Sequence, residues 1–445
     1  MNADPRETLA ASPMGVLQII AVALTIGLTA LDGFDVLSIS FASPGIATEW
    51  GIDRAALGVV LSAELFGMAI GSIVLGGVAD RIGRRPTMLG CLLLMTAGMF
   101  MVTTVRGIPE LEIWRVVTGL GIGGLLAAGN AVAAEFANHR RRNLCVALMA
   151  IGYPLGAVVG GTIVAQLLHG HDWRVVFYLG GCTTALFLPL VYWFIPESVH
   201  WLAQKQPGGA LDRINATLHR MGHGAIAALP VIAEQVRKRS VSDIFAPALI
   251  RTTVLTAAAY FCHVMTFYFI LKWVPKIVAD MHFPASAAAG VLVWTNVGGA
   301  LGGAALGLLT TRLGLKPVTI AVMLLSTVMV VVFGRSGADL QQLSLLCACA
   351  GFCTNAAIVG LYAIFAQAYP THVRATGTGF AIGIGRGGAA LAPIAAGYLF
   401  KWGYGLPTVS LYMALGSLFA AGILAMLRLK PDQPTAMTLL RSASS

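Results

Sequence analysis

The sequence predicts an all-α integral membrane protein, with twelve transmembrane helices arranged as two pseudo-symmetric six-helix bundles. Three observations carry that prediction. Hydrophobic residues make up 57% of the 445 and charged residues only 11%, where a soluble domain has about 25% charged residues. The charges and Pro/Gly corners fall at intervals that leave twelve apolar stretches, each near the ~20 residues a helix needs to cross roughly 30 Å of hydrocarbon. A glycine- and arginine-rich stretch after the second is echoed after the eighth. This composition excludes a soluble enzyme, and the absence of a G-x-y period, a heptad or a long polar tract excludes collagen, coiled coil and disorder.

The first span, expected over 15–42, follows the polar Asp4, Arg6 and Glu7 and runs past Asp32 without a small-residue cleavage site, so it reads as a retained helix and not a signal peptide. The second, 56–79, is bounded by Arg54 and Asp80, and the third, 87–105, by Arg85 and Arg106. The fourth, 110–134, ends at Glu135; the fifth, 144–168, starts after Arg140, Arg141 and Arg142; the sixth, 175–196, ends at Pro196. One long polar stretch follows, with short surface helices expected at 211–221 and 232–238. Six more spans are expected over 250–279, 286–310, 317–334, 340–367, 374–400 and 406–427. The expected domains are therefore 1–196, a central loop 197–248, and 249–445 with a tail.

The formal charge of +10 resides at helix ends. With the N-terminus in the cytoplasm, Arg81, Arg84, Arg85, Arg140, Arg141, Arg142, Arg312, Lys316 and Arg374 share one side. The positive-inside rule then gives an N-in, C-in topology, expected in a bacterial inner membrane, and explains the basicity without nucleic acid. The seven cysteines fall in apolar stretches with no C-x-x-C spacing, and read as packing residues, not disulfides or metal ligands.

The echo joins Gly76-Gly77-Val78-Ala79-Asp80-Arg81-Ile82-Gly83-Arg84-Arg85 to Gly307-Leu308-Leu309-Thr310-Thr311-Arg312-Leu313-Gly314-Leu315-Lys316. Two repeated halves of six spans are the plan of a secondary transporter, with its site between the halves near the midplane. One chain then supplies the whole pathway. The first of these stretches resembles the cytoplasmic signature of the major facilitator superfamily. Asp32-Gly33-Phe34-Asp35 resembles the D-G-x-D motif of its aromatic acid:proton symporter family, as do Arg115 to Gly124 in the fourth span and Tyr369 to Gly377 leading to Gly383 through Gly388. The resemblance implies the major facilitator fold and import of benzoate-like or hydroxybenzoate-like carboxylates with protons. Glu64, His263 and Lys272 depart from it, standing where uncharged residues are expected.

Ionisable residues inside a span are costly unless paired or facing water, so each is a candidate site residue. Asp32 and Asp35 are three apart, on one helix face; two coupled carboxylates there suit proton coupling, with a structural ion pair as the alternative. Arg386 offers a planar fork to a substrate carboxylate, or a salt bridge to Asp32 or Asp35. Arg115 relays charge or forms a structural pair. His263 contacts substrate or carries a proton, or is a packed polar residue. Glu64 faces either Lys272 or Arg115. Phe34, Tyr260, Phe267, Trp294, Tyr362 and Phe365 are candidate aromatic walls, with Asn130, Asn296 and Asn355 as amide partners. Asp80, Arg81, Arg84, Arg85 and Glu135 are expected to form a gate latch between the halves.

Gly119-x-Gly121-x-Gly123 and Gly383-x-Gly385-x-Gly387 lack the strand and spacing of nucleotide loops, so they read as helix-packing motifs. The expected function is proton-coupled import of a small organic carboxylate by alternating access, with no cofactor, metal or enzymatic activity. The alternative is a proton-driven exporter of organic anions or drugs, because Gly152 to Gly161 resembles the fifth-span motif of antiporters, with Ala157 at that motif's proline. A ligand-sensing receptor is a further rival, but the central loop is too short for an output domain.

Overall fold

The computed structural model describes residues 4–230, 241–370 and 373–427, and their regular structure is entirely helical. The expected helix 232–238 lies outside the described residues. A short α1 (Pro5–Ala11), N-capped by the Asp4 carboxylate on the Arg6 N–H, precedes the first half. That half comprises α2 (Val16–Trp50), α3 (Arg54–Ile82), α4 (Arg84–Val102), α5 (Ile108–Phe136), α6 (Arg142–Leu167) and α7 (Arg174–Phe194). Two surface helices follow, α8 (Val199–Lys205) and α9 (Ala210–Arg220), then a 3-10 turn at Val241–Phe245. The second half is α10 (Ile250–Asp280), α11 (Ala285–Leu313), α12 (Leu315–Gly334), α13 (Leu340–Ala368), α14 (Arg374–Lys401) and α15 (Leu406–Met426). Twelve of these helices are long and apolar enough to cross a membrane, and the chain is a multi-pass membrane protein.

The first span is longer than expected, continuing through Pro44 to Trp50. Proline removes the N–H that would bond the carbonyl four residues earlier, here that of Ser40. The Ser43 hydroxyl donates to that carbonyl at 2.8 Å, so the helix survives. It ends where Gly51 adopts a left-handed conformation.

The sequence echo has a backbone counterpart. Gly83 between α3 and α4, and Gly314 between α11 and α12, both have positive φ, so each signature closes one helix and opens the next through a conformation that favours glycine. At the first, Glu197 accepts from the Arg84 N–H at 2.8 Å, capping α4. Ser198 in turn caps α8 through the Trp201 N–H and donates to Glu135. The central segment is thereby fastened to the first half, with Trp201 Nε1 donating to the Asp80 carbonyl at 3.1 Å.

The two halves meet at the face opposite the termini. Asp53 pairs with Lys401 and Arg54 with Asp280, each at 2.9 Å. The Ala56 N–H, and after it Lys401, hold the Asp53 carboxyl below the usual carboxylate range. Just inside, α3 crosses α14 closely: a Cβ at Gly58 would meet the Pro393 carbonyl, and one at Gly397 the Arg54 carbonyl. Deeper between the halves, Arg386 donates to the Met68 carbonyl and Lys272 to the Val36 carbonyl.

Candidate functional site

A cavity of about 380 Å³ lies between the halves. Asp32, Asn130 and Tyr153 face it from the first half; Tyr260, Phe267, Tyr268, Asn355, Tyr362 and Arg386 face it from the second. Tyr260 and Tyr362 share a hydrogen bond at 2.9 Å, and the edge of Phe365 meets the Tyr260 ring at 5.6 Å. Most of the wall is apolar, and the closure described above shuts it toward the face opposite the termini. A smaller hollow of about 160 Å³ at that face, lined by Arg54, Trp273 and Asp280, lies beside the Arg54–Asp280 ion pair.

Asp32 is 2% exposed, and its Oδ1 has no hydrogen-bond partner among the described residues. Arg386 opposes it from α14 and donates from Nη1 to the Met68 carbonyl of α3 at 3.1 Å. No ion pair joins Arg386 to Asp32 or Asp35, so the guanidinium retains donors for a ligand.

Asp35 is displaced from the cavity. One turn farther along α2, it is fully buried, and the Thr184 hydroxyl lies 3.5 Å from its Oδ2. Beside it sits a buried charge cluster. Arg115 pairs with Glu64, donates to the Asp35 carbonyl at 3.2 Å, and lies over the Phe177 ring at 5.3 Å. Lys272, from the other half, stands 3.7 Å from the same Glu64 carboxylate and donates to the Val36 carbonyl. Both partners left open for Glu64 by the sequence are thus used. The glycines of α5 make this possible: at Gly119 the backbone lies against the Glu64 carbonyl, with no room for a Cβ, drawing α3 and α5 together as small-residue faces do in membranes.

Several sequence-selected residues lie elsewhere. Arg115 is held by Glu64, outside the cavity. His263 is buried within the second half, bonded to Ser417 Oγ and the Thr354 carbonyl, each at 2.9 Å, which uses both ring nitrogens. Phe34 is packed beneath Gly160. Trp294 is 54% exposed and faces away from the cavity, and the Asn296 amide bonds its own helix at the Leu292 carbonyl. Conversely, Tyr153, Tyr268, Met149 and Pro154 line the cavity without having been selected; the only sequence signal was a Tyr-Pro pair in the fifth span.

The expected gate residues do not bridge the halves. Arg84 pairs with Asp80 at 2.6 Å and with Glu135 at 3.5 Å, Arg85 donates to the Tyr192 carbonyl and covers its ring, and Arg81 is exposed. All of these contacts stay within the first half; the exposed ion pairs between the halves stand at the opposite face.

Two helical halves with a mostly apolar cavity between them, carrying a few buried polar groups, define a secondary-transporter architecture, not an enzyme. The chain belongs to the Major Facilitator Superfamily, whose family model it matches over residues 25–306 and 256–444. It is 31% identical to a gallate transporter of Pseudomonas putida, over 94% of this chain and 93% of that protein. Identity is also 31% to a 3-(3-hydroxy-phenyl)propionate transporter of Escherichia coli, over 93% and 96%. It is 30% identical to a 4-hydroxybenzoate transporter of Pseudomonas putida, over 91% of each. Among solved structures, the inward open conformation of the xylose transporter XylE from E. coli matches with a TM-score of 0.72 at 17% identity, over 96% of this chain and 99% of that one. That likeness establishes the fold.

Proposed function

We propose that this protein imports a small aromatic carboxylate together with protons by alternating access. The observation that carries the reading is the opposition of Asp32 and Arg386, from different halves, across a largely apolar cavity walled by tyrosines. A guanidinium suits a carboxylate, flat aromatic walls suit a ring, and a buried carboxylate without a fixed cation suits a proton. Relatives that cover nearly the whole chain are named as transporters of gallate, hydroxybenzoate and hydroxyphenylpropionate.

In this reading the terminus-bearing face is cytoplasmic, and the cavity, closed at the opposite face, releases cargo inward. Asp32 is the proton site that reaches the cavity, with Asp35 one turn behind it. The substrate carboxylate takes the free donors of Arg386. Coupling is required energetically, since a potential of 100 mV, negative inside, opposes entry of one anionic charge by about 2.3 kcal/mol. One proton cancels that term.

The test is uptake of labelled benzoate, hydroxybenzoates, gentisate and an aliphatic control into proteoliposomes under an imposed inward proton gradient. Accumulation of an aromatic acid that collapses with a protonophore supports the reading. Arg386→Gln should then raise KM on the order of tenfold or more, as expected when a charge-assisted contact is lost. Absence of accumulation under any gradient, with efflux from preloaded vesicles, would transfer the protein to the exporter class.

A further inference from the structure

Within the cavity, Tyr153 of α6 carries a hydroxyl that is buried and has no hydrogen-bond partner among the described residues. Several of the polar groups around it are already engaged. Tyr260 and Tyr362 bond each other at 2.9 Å, Asn355 donates to the Gly299 carbonyl at 2.7 Å, and Asn130 donates to the Leu126 carbonyl at 2.8 Å. The other buried lining atom left open is Asp32 Oδ1. Both residues line the same cavity, and their helices cross closely there: at Gly33, the residue after Asp32, α2 presses against the Tyr153 carbonyl with no room for a Cβ.

A buried polar group without a partner is costly, and a ligand atom that satisfies it gains accordingly. A phenol both donates and accepts, whereas an ionised carboxylate only accepts. A hydroxyl on the ligand ring can therefore accept from Tyr153 Oη and donate to Asp32 Oδ1, leaving the ligand carboxylate to Arg386. Hydrogen or a halogen at that ring position leaves the Tyr153 hydroxyl unsatisfied, which is the discrimination binding sites achieve best.

We infer that Tyr153 is a specificity-determining residue that reads a ring hydroxyl, so the cavity selects hydroxylated aromatic acids over the unsubstituted acid. This rests on the aromatic-carboxylate reading of the site.

The experiment compares KM for benzoate, 3-hydroxybenzoate and 4-hydroxybenzoate in proteoliposomes carrying the wild-type protein or Tyr153→Phe. In the wild type, at least one hydroxylated acid should have a KM about tenfold or more below that of benzoate. Tyr153→Phe should remove that difference by raising the hydroxylated acid's KM while leaving benzoate within about twofold, since the ring and its packing remain. A parallel change for all three acids, or an unchanged preference, overturns the inference and leaves the transport reading intact. A wild type that carries no aromatic acid overturns both. Competition on the wild type provides a measurement independent of the variant's folding: the fluorobenzoate with fluorine at the position of the preferred hydroxyl should compete no better than benzoate, and competition equal to that hydroxylated acid would refute a hydroxyl-reading site.

Discussion

Glu64 of the first half and Lys272 of the second stand 3.7 Å apart, both fully buried, and Glu64 is at the same time paired with Arg115 of its own half. The arrangement is unequal: Arg115 serves structure within one bundle, while Lys272 spans the boundary that alternating access must open. Removing one member of a buried pair typically costs about 3–5 kcal/mol, because the other charge is stranded. Either single removal leaves Glu64 one cation, but Arg115→Met also loses the bond to the Asp35 carbonyl and the cover over Phe177, so it should come nearer that loss, and Lys272→Met should cost less. Thermal unfolding of the purified variants would measure the difference. A Lys272→Met loss equal to that of Arg115→Met would show that Glu64 depends on both cations alike.

The close crossing of α3 and α14 makes a separate prediction about access. A side chain at Gly58 must displace the Pro393 carbonyl, and overpacking costs about 1–3 kcal/mol. That penalty applies while the face opposite the termini is closed, so Gly58→Leu should shift the population toward opening there on the order of tenfold or more. Labelling of a cysteine at the buried Ser62 by a membrane-impermeant thiol reagent, in a background without the native cysteines, should accelerate. Unchanged labelling would mean that this crossing persists throughout the transport cycle.

The two aspartates should separate in function. Asp32 lines the cavity, whereas Asp35 lies behind it against Thr184. Asp32→Asn is expected to abolish accumulation above equilibrium while preserving gradient-independent exchange of substrate. Asp35→Asn, which keeps a hydrogen-bonding group toward Thr184, should retain accumulation with a reduced rate. Uptake and counterflow in the same proteoliposomes distinguish these outcomes, and exchange without accumulation in Asp35→Asn alone would reverse the assignment.

Glu197 has a structural task outside the membrane helices. Its carboxylate accepts from the Arg84 and Ser198 N–H groups at 2.8 and 2.9 Å, so it caps α4 at a turn whose Gly83 has no side chain to do so. Glu197→Ala should cost about 1 kcal/mol, as loss of a helix cap does, with substrate KM unchanged. Unfolding in detergent and uptake kinetics together would check it; a large KM change with intact stability would place Glu197 in the transport path instead.

Span number and most helix ends were legible because hydrocarbon imposes length and polarity on every crossing segment. The end of the first span was not, since the serine that compensates Pro44 carries no signal in a hydropathy pattern. Asp32 and Arg386 were visible because intramembrane charge is rare. Neighbourhood was another matter. Asp32 and Asp35 are three residues apart, yet only one lines the cavity; Arg115 and His263 look equally functional in sequence and are turned to partners inside their own bundles; Tyr153 was passed over. A helix face acquires its meaning from the helix packed against it, and for α2 that depends on where Gly33 and the α5 glycines let neighbours approach. The sequence by itself determined the membrane fold, its repeat and its set of buried charges. Only the tertiary structure decided which charges pair, which face the cavity and which end is closed, because these depend on contacts between helices hundreds of residues apart.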